Sequence, residues 1–313
     1  MSDLDAVTVT ANPAMDHTVW IPGFRAGEVN RVEREDLSPG GKGVNVAAFL
    51  TALGLRVAVT GFLGSENEGS FDAFFRDRGI LDGFVRVEGT TRTGIKIVDD
   101  RASETTDVNF PGFSVTEEDV GRLEERLGEL AAPGRWVALT GSLPRGAPFD
   151  LYRRLAGMAR ERGGRVAVDT SGPALPHALA MRPDLFKPNR TELEESIRRA
   201  LPDRAAVVGA ADELIARGMG TLVVSMGAEG AVFVRNGEAV FTGPAPVKVA
   251  STVGAGDAMV AGTIAGIVRD LPLAEVAALA TACSAVAIGR IGPHLDPDEV
   301  EHTAKSVRVE LLR

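Results

Sequence analysis

Short apolar segments alternate with amphipathic segments along most of the chain, and this alternation limits the fold more than any other feature of the sequence. Apolar strands joined by helices of about 10–15 residues are typical of βαβ units, whose strands run parallel and are covered on both faces. The pattern therefore predicts an α/β fold with a central, mostly parallel sheet flanked by helices. The predicted strands are 6–11, 56–62, 135–141, 165–170, 184–187 and 221–226, and the predicted helices are 44–53, 70–79, 116–130, 150–163 and 212–218.

Two more polar segments interrupt this alternation, at residues 12–36 and 84–110. Their alternating polar and apolar residues predict antiparallel hairpins outside the main sheet, which together form a small β-sheet lid. An uncovered hairpin edge favours pairing with another chain, so the lid also predicts a homodimer. Because no repeat or linker is visible, we expect a single domain over residues 1–313, with the lid segments inserted.

Charge and cysteine content exclude several classes of protein. Lys and Arg total 34 and Asp and Glu total 43, which gives a net charge of −9. Such an acidic chain is a poor candidate for nucleic acid binding through phosphate neutralisation. The single cysteine, Cys283, excludes an internal disulfide and a cysteine-based metal site, and the four histidines have no spacing typical of zinc ligands.

Neither the N-terminus nor the longest apolar segment suggests a membrane protein. The first residues are acidic and lack the apolar core of a signal peptide. Residues 273–289 are mostly apolar but include Glu275, Thr281 and Ser284, and they are too short and polar for a membrane span. We therefore expect a buried helix there, no membrane partner, and a cytoplasmic location.

The strongest local motif is STVGAGD at residues 251–257. Its Gly-Ala-Gly turn leads into a helix, where converging backbone N–H groups and the helix N-terminus can bind an anion. Asp257 in the first helical turn could simply complement the helix dipole. However, a carboxylate repels a bound phosphate, so its presence favours phosphoryl transfer to a hydroxyl group, in which the carboxylate accepts the hydroxyl proton.

A second glycine-rich turn, within residues 38–54, places Lys42 and Asn45 at the start of another helix. The sequence contains no G-x-x-x-x-G-K-[ST] motif, and this turn is not G-x-G-x-x-G, which argues against a Walker A loop and a dinucleotide site. A purely structural interpretation is a glycine-rich helix start in which Asn45 satisfies local backbone groups.

Three weaker features carry polar residues near predicted strand ends. Asp16 could accept two hydrogen bonds from a vicinal diol of a sugar, although Asp is also common in turns. Asn189 and Glu192 could support Mg²⁺ through water, or Glu192 could be an ordinary acidic residue of a first helical turn. The turn at 225–230 could admit a nucleotide, or it could only join two strands.

In this order, the motifs resemble those of the ribokinase-like, PfkB-type carbohydrate kinases over essentially the whole chain. The two family signatures are GGKGVN at 40–45 and STVGAGD at 251–257, and NPAMD, TGSLPRG, KPNRTE and SMGAEG also match in register. The resemblance implies a three-layer α/β fold with a β-sheet lid over the sugar, and a lid that often dimerises. It also implies ATP and Mg²⁺ as cofactors and a small-molecule sugar substrate.

Individual roles follow from the resemblance only at matching positions. It implies that Asp257 is the catalytic base and that Gly254, Ala255 and Gly256 form the anion hole. The implied sugar-binding residues are Asp16, Gly40, Gly41, Lys42 and Asn45; the implied ATP-binding residues are Lys187, Asn189, Ser225, Gly227, Gly230, Thr252, Gly254 and Gly256; and Glu192 is implied near Mg²⁺, through water.

Segments 27–32, 91–97 and 105–113 resemble the branch of this family that acts on ketohexose monophosphates. The expected reaction converts fructose 1-phosphate to fructose 1,6-bisphosphate, with tagatose 6-phosphate, fructose 6-phosphate, and then another sugar or a nucleoside as alternative substrates. A non-catalytic sugar-phosphate-binding regulator is a further alternative, against which the intact GAGD argues.

The substrate phosphate needs cationic partners. We expect Arg92 and Lys42 to be the main contacts, and Lys96 a lesser one, because Arg92 enters the predicted lid where a guanidinium could bind phosphate through two hydrogen bonds. The alternative for Arg92 is a solvated charge on a hairpin.

Overall fold

The computed structural model describes residues 4–102, 104–170, 172–247 and 253–313, and their strands form one large and one small sheet. The strands are β1 (Ala6–Thr10), β2 (Ala14–Trp20), β3 (Arg34–Gly40), β4 (Val57–Gly64), β5 (Leu81–Asp82), β6 (Val85–Val87), β7 (Arg92–Asp99), β8 (Glu104–Asn109), β9 (Trp136–Thr140), β10 (Arg165–Asp169), β11 (Leu185–Phe186), β12 (Thr221–Ser225), β13 (Ala231–Arg235), β14 (Glu238–Thr242) and β15 (Val309–Leu311). The α-helices are α1 (Lys42–Ala52), α2 (Gly69–Arg78), α3 (Glu117–Leu130), α4 (Leu151–Glu161), α5 (Leu175–Ala180), α6 (Arg190–Ile197), α7 (Arg204–Ala216), α8 (Ala255–Val268), α9 (Leu273–Ile288) and α10 (Pro297–Ser306).

Every strand and helix predicted from the apolar alternation forms, and most ends differ by no more than two residues. The exception is α7, which begins at Arg204 rather than at residue 212. Its first half is rich in Ala and Val and has no polar face, so it lacks the periodicity that identifies an amphipathic helix. Thr116 and Asp119 form a capping box at the start of α3.

The large sheet is mostly parallel and is covered on both faces. Its strand order is β15-β14-β13-β12-β11-β10-β9-β1-β4-β5, and β6 also pairs with β4. Strands from β12 to β4 pair in parallel, whereas β13, β14 and β15 add an antiparallel edge. One core lies between this sheet and α1, α2, α8 and α9, and the other lies between the sheet and α3, α4 and α7. The predicted three-layer α/β fold is therefore confirmed.

The small sheet, with strand order β3-β2-β7-β8, is the lid. Strands β2 and β3 pair antiparallel, as do β7 and β8, and β2 joins the two pairs by running parallel to β7. Its bounds differ from the predicted ones. Residues 84–110 divide between the sheets, because Val85 and Val87 are buried and pair β6 with β4 of the large sheet. In addition, β3 continues beyond residue 36 to Gly40.

The register of the parallel strands brings polar residues together at one edge of the large sheet. Thr10, Thr140 and Asp169 are aligned as the last residues of β1, β9 and β10. Helix α1 begins at this edge, two residues after the lid strand β3 ends, and α8 packs beside α1. This is the edge at which ligands of open α/β sheets bind.

Helix α9 corresponds to the apolar segment 273–289, and it is buried against α8, α10 and the sheet, as predicted. Among the helices in the part of the chain that the structure describes, none combines the length and apolar character that a membrane span needs.

Close packing of α8 against α9 depends on Gly262. A Cβ at this position would lie 2.7 Å from Ala280 Cα and 3.0 Å from Cys283 Sγ, so the two helices would have to separate. We predict that Gly262→Ala lowers the free energy of unfolding by about 1–3 kcal/mol, because overpacking outweighs the gain in helix propensity.

Urea denaturation of Gly262→Ala and of Gly121→Ala measures this effect against a matched control. Gly121 lies in α3, where an added Cβ would meet only open space, so Ala should stabilise the protein there by up to about 1 kcal/mol. Equal stabilisation by both substitutions would contradict the packing argument.

Candidate active site

Asp257 lies in the first turn of α8, where it is almost completely buried. Gly254 precedes the helix with a φ of 82°, which turns the chain into α8. The Nδ2 atom of Asn45 in α1 donates a hydrogen bond of 2.8 Å to Asp257 Oδ2. The two glycine-rich motifs are thus brought together by direct packing of the helices that they start.

Burial raises the pKa of Asp257 to about 6, and the nearby carboxylate of Asp169 acts in the same direction. Lys42, the hydrogen bond from Asn45, and Lys187 oppose this rise. A carboxyl group with this pKa is mostly ionised at neutral pH and still accepts a proton readily. Its position and pKa therefore suit a general base.

Asp169 is a site residue that the sequence analysis did not identify. Its Oδ1 atom lies 3.1 Å from Lys42 Nζ and 3.4 Å from Lys187 Nζ. Burial would raise the pKa of Asp169, but the two ammonium groups outweigh it and hold the pKa below its usual value. Lys187 Nζ also lies 3.2 Å from where a Cβ of Gly256 would be, so positive charge reaches the N-terminus of α8.

Three of the predicted substrate contacts line a small cavity between the lid and α1, whereas Gly40, Gly41, Lys42 and Arg92 are not among its lining residues. Asp16, Asn45 and Lys96 line this cavity of about 30 Å³ together with Gly254. Lys96 Nζ lies 3.2 Å from Asp16 Oδ1. A Cβ at Gly40 would lie 2.4 Å from Asp16 Oδ2, so a larger residue at position 40 would displace the carboxylate that is expected to bind the sugar.

Arg92 is the first residue of lid strand β7 and does not line this cavity. Its Nη1 atom donates to Asn109 Oδ1 at 3.3 Å, and its Nη2 atom contacts the Asn12 carbonyl at 3.5 Å. Asn12 Nδ2 in turn donates to Ser142 Oγ at 3.3 Å. The Nε atom of Arg92 is buried and has no acceptor among the described residues. Burial lowers the pKa of Arg92, and Asp16 partly offsets this.

The three cations predicted to bind the substrate phosphate therefore do not form one cluster. Arg92 contacts Asn109 and the Asn12 backbone, Lys96 contacts Asp16, and Lys42 contacts Asp169. Lys42 shares Asp169 with Lys187, so it lies with the charged groups around Asp257.

Four of the residues predicted to bind ATP line a second cavity of about 600 Å³ at the start of α8, whereas Lys187, Asn189 and Gly254 are not among its lining residues. Its lining includes Ser225, Gly227 and Gly230 from the β12–β13 connection, and Gly256 from α8. Asn189 pairs with Ser225 in an isolated parallel bridge at the same edge. Thr252, which was also predicted to bind ATP, lies outside the described residues.

Asn189 and Glu192 form a capping box at the start of α6. Asn189 Oδ1 accepts a hydrogen bond from the Glu192 backbone N–H, and Glu192 Oε2 accepts one from the Asn189 backbone N–H, both at 2.8 Å. Their immediate role is thus to cap the helix. Glu192 is nevertheless close enough to contribute, as the weakest of several causes, to the raised pKa of Lys42.

Glu192 also allows a test of whether the site fits Mg²⁺. No group of three or more His, Cys, Asp or Glu residues is placed to hold a metal ion in the described ranges. Glu192 Oε1 makes no hydrogen bond to the residues described, which leaves one carboxylate oxygen for a water-mediated contact. Mg²⁺ usually keeps several waters and binds one or two carboxylates plus substrate phosphates, so the residues fit it.

Sequence signals for the missed residues exist but are weak. Asp169 follows the apolar residues 166–168 near the end of the predicted strand 165–170, which is also where a ligand-binding carboxylate would be expected. Asn12 and Ser142 lie in the NPAMD and TGSLPRG motifs, and neither motif indicates that these two side chains form a hydrogen bond.

Residues 7–299 match the family described as pfkB family carbohydrate kinase. The chain belongs to this family. ATP is therefore expected as its phosphoryl donor, in agreement with the sequence resemblance.

Individual relatives cover nearly the whole chain. A protein of Rhodobacter capsulatus named 1-phosphofructokinase is 50% identical, with 99% of this chain and 98% of that protein aligned. Phosphofructokinase-2 from Escherichia coli, solved in complex with substrates and products, superposes with a TM-score of 0.92 at 28% identity, covering 97% of this chain and 99% of that one. The tetrameric inhibited form of the same enzyme gives a TM-score of 0.88 with the same identity and coverage.

We predict that Asp257→Asn retains the fold and ATP binding but lowers kcat by about 10²–10⁴-fold, because the amide cannot accept a proton. Steady-state kinetics and isothermal titration calorimetry with ATP measure the two effects. In the parent kinase, the base must be ionised, so the rate should fall as the pH drops through about 6, the pKa of Asp257.

Asp270→Asn provides a control at the opposite end of α8, since Asp270 follows the last residues of that helix. It should leave kcat within about twofold of the parent value, because it lies far from the reacting groups. Turnover of Asp257→Asn within threefold of the parent would rule out the assignment of Asp257 as the base.

Proposed function

We propose that this kinase transfers the γ-phosphoryl group of ATP to the primary 6-hydroxyl of fructose 1-phosphate, with Mg²⁺, and so forms fructose 1,6-bisphosphate and ADP. We also infer that residues 1–313 form a single kinase domain with the lid inserted, and that the enzyme acts in the cytoplasm.

The position of Asp257 carries the proposal for the reaction. Asn45, its hydrogen-bond partner, lines the cavity beneath the lid, and the neighbouring Gly256 lines the larger cavity. A carboxylate at the junction of the two cavities can contact a hydroxyl on one side, while the N-terminus of α8 faces a phosphate on the other. This arrangement suits direct transfer between two bound substrates.

The proposed chemical step is an in-line displacement at the γ-phosphorus. The sugar oxygen forms a bond to phosphorus, the bond from phosphorus to the bridging oxygen of ATP breaks, and ADP leaves. Asp257 accepts the hydroxyl proton, and Asn45 keeps its carboxylate in place. Backbone N–H groups of the Gly254–Gly256 turn and the ammonium of Lys187 stabilise negative charge on the transferred group.

Mg²⁺ would bind between the nucleotide phosphates and Glu192, with water between the ion and the carboxylate. When bound, it supplies positive charge that shields the phosphates. The chain holds Glu192 in the first turn of α6 through its capping box with Asn189.

Arg92 supports a substrate that already carries a phosphate. Arg92 is half-buried, its buried Nε lacks a described acceptor, and its other contacts are neutral oxygens, so its guanidinium retains donors for an anionic ligand. Asn12 and Ser142 lie beside it and offer further polar groups. The identity to the Rhodobacter capsulatus protein named 1-phosphofructokinase favours fructose 1-phosphate among the ketohexose monophosphates.

A coupled ADP-release assay tests the choice of substrate. We predict that kcat/KM is highest for fructose 1-phosphate, lower for tagatose 6-phosphate and fructose 6-phosphate, and far lower for free fructose. Arg92→Ala should raise the KM for fructose 1-phosphate at least about tenfold and leave the KM for ATP almost unchanged, because a desolvated charged contact is lost only on the sugar side.

Arg101→Ala is the matched control, since Arg101 is an exposed arginine in the turn between β7 and β8 of the same lid. It should change neither constant by more than about twofold, in keeping with the small effects of exposed charges. If free fructose is as good a substrate as fructose 1-phosphate, the phosphosugar assignment is wrong. If Arg92→Ala leaves the KM for fructose 1-phosphate unchanged, the assigned contact is wrong.

The outer face of the lid supports a homodimer. Register aligns Leu37, His17, Ile95 and Val108 in one row across all four lid strands, on the face opposite Asp16. Leu37 is 58% exposed and Val108 is 43% exposed. A second copy of the lid, presenting the same row, would cover these apolar side chains in a symmetric interface. The tetrameric form of the Escherichia coli enzyme shows that a close structural neighbour associates.

We predict that the parent chain is a dimer by light scattering and that Val108→Glu shifts it toward monomer, because the interface would have to bury a charge. Val268→Glu at the end of α8 is the control, since Val268 has a similar exposure of 42% but lies away from the lid. A monomeric parent at assay concentration, or equal dissociation of both variants, would contradict dimerisation through the lid.

A further inference from the structure

Asp169 is a buried carboxylate for which the proposed reaction has no direct use. It is the last residue of β10 and is 1% exposed. One of its oxygens, Oδ1, contacts both Lys42 Nζ and Lys187 Nζ. The other oxygen, Oδ2, is buried and accepts no hydrogen bond from the part of the chain that the structure describes.

The two lysines reach Asp169 from opposite sides of the site. Lys42 is the first residue of α1, in the glycine-rich turn that leads from the lid. Lys187 follows β11, next to the residues that line the larger cavity, and its ammonium lies at Gly256. Parallel pairing of Val168 with Phe186 places Asp169 directly beside Lys187. One carboxylate thus fixes a cation from the sugar side and a cation from the nucleotide side.

We propose that Asp169 is a positioning residue that holds the ammonium groups of Lys42 and Lys187 on either side of the phosphoryl-transfer centre and sets the charge around Asp257. This inference rests on the proposed kinase function. It assigns to Asp169 the role of holding the two lysines in place, which neither lysine could do for the other.

Stability does not account for this arrangement. A buried ion pair usually gains little over apolar residues of similar size, and the unpaired Oδ2 adds a desolvation cost. Without Asp169, two ammonium groups on long flexible side chains would repel each other and occupy many rotamers. Holding them in place before the substrates bind removes that disorder from the reacting complex.

The groups that face Asp257 come from three places in the chain. Helix α1 contributes Lys42 and Asn45, the end of β10 contributes Asp169, the residue after β11 is Lys187, and α8 carries Asp257 itself. Burial and Asp169 raise the pKa of Asp257, whereas Lys42, Asn45 and Lys187 lower it. Glu192 on α6 acts on Lys42. Removal of the Asp169 charge alone therefore leaves an excess of positive charge around the base.

The test compares Asp169→Asn with the parent kinase in steady-state assays with fructose 1-phosphate and ATP between pH 5 and 8. We expect kcat/KM at neutral pH to fall about 100-fold, since one partner of a buried charge cluster is lost. The acid limb of the pH profile should move to lower pH by at least about half a unit, because Asp257 becomes easier to ionise. The phosphate of the substrate also ionises near pH 6, but equally for both proteins, so only their difference reports on the enzyme.

Asp184→Asn is the matched control for a purely structural effect. Asp184 is a half-buried carboxylate beside β11, and its Oδ2 accepts a hydrogen bond of 2.8 Å from the Val166 backbone N–H at the start of β10. It lies at the opposite end of the strands from Asp169, so its loss can lower the melting temperature but should leave the acid limb in place. An unchanged acid limb in Asp169→Asn, together with parent-like KM values, would overturn the proposal.

If Asp169→Asn unfolds at the assay temperature, a second pair of variants gives the same comparison. In this pair Lys187→Met removes one ammonium group, so the added Asp169→Asn leaves one ammonium group, Lys42, and one carboxylate, Asp257. Asp169→Asn/Lys187→Met is compared with Lys187→Met, and we expect a further loss of at least about tenfold in kcat/KM and an acid limb at lower pH. Identical kinetics in this pair would overturn the role of Asp169. A parent that phosphorylates no sugar or sugar phosphate would instead refute the proposed function.

Discussion

The hydrogen bond from Asn45 to Asp257 is the contact on which the geometry of the site depends. It joins residues 212 positions apart in sequence and lies between the first turns of two packed helices. Because α1 and α8 start at the same edge of the sheet, their glycine-rich turns face one another. A shift of either helix would move the carboxylate away from the place where the two substrates meet, so the buried packing behind the site is part of its function.

Local sequence patterns predicted six strands of the large sheet, most helices and both glycine-rich turns, because each depends on neighbouring residues. Contacts that depend on the register between strands could not be predicted from local sequence patterns. No local pattern shows that Val168 pairs with Phe186, and without this pairing Asp169 and Lys187 have no reason to meet. The lid was predicted in outline, but Val85 and Val87 belong to the large sheet because burial there outweighs their polar neighbours.

The arrangement of charges explains how an acidic chain can receive two anionic substrates. The net charge is −9, yet Lys42, Lys187 and Arg92 all lie at the carboxyl edge of the sheet or beneath the lid. The carboxylate of Asp169 holds both lysines, and neutral oxygens contact Arg92. Each cation is thus fixed before a phosphate arrives, and the negative surface elsewhere does not compete for the same side chains.

The connection between the lid and α1 consists of a single glycine. Strand β3 ends at Gly40 and α1 begins at Lys42, so Gly41, with a φ of 107°, is the only residue between them. The lid and the helix that carries Asn45 are therefore not separated by a flexible loop. Any rotation of the lid must be absorbed by the two backbone angles of Gly41 or be passed on to α1. The lid and α1 are therefore joined by one short hinge, through which a rotation of the lid can reach Asn45 and its hydrogen bond to Asp257.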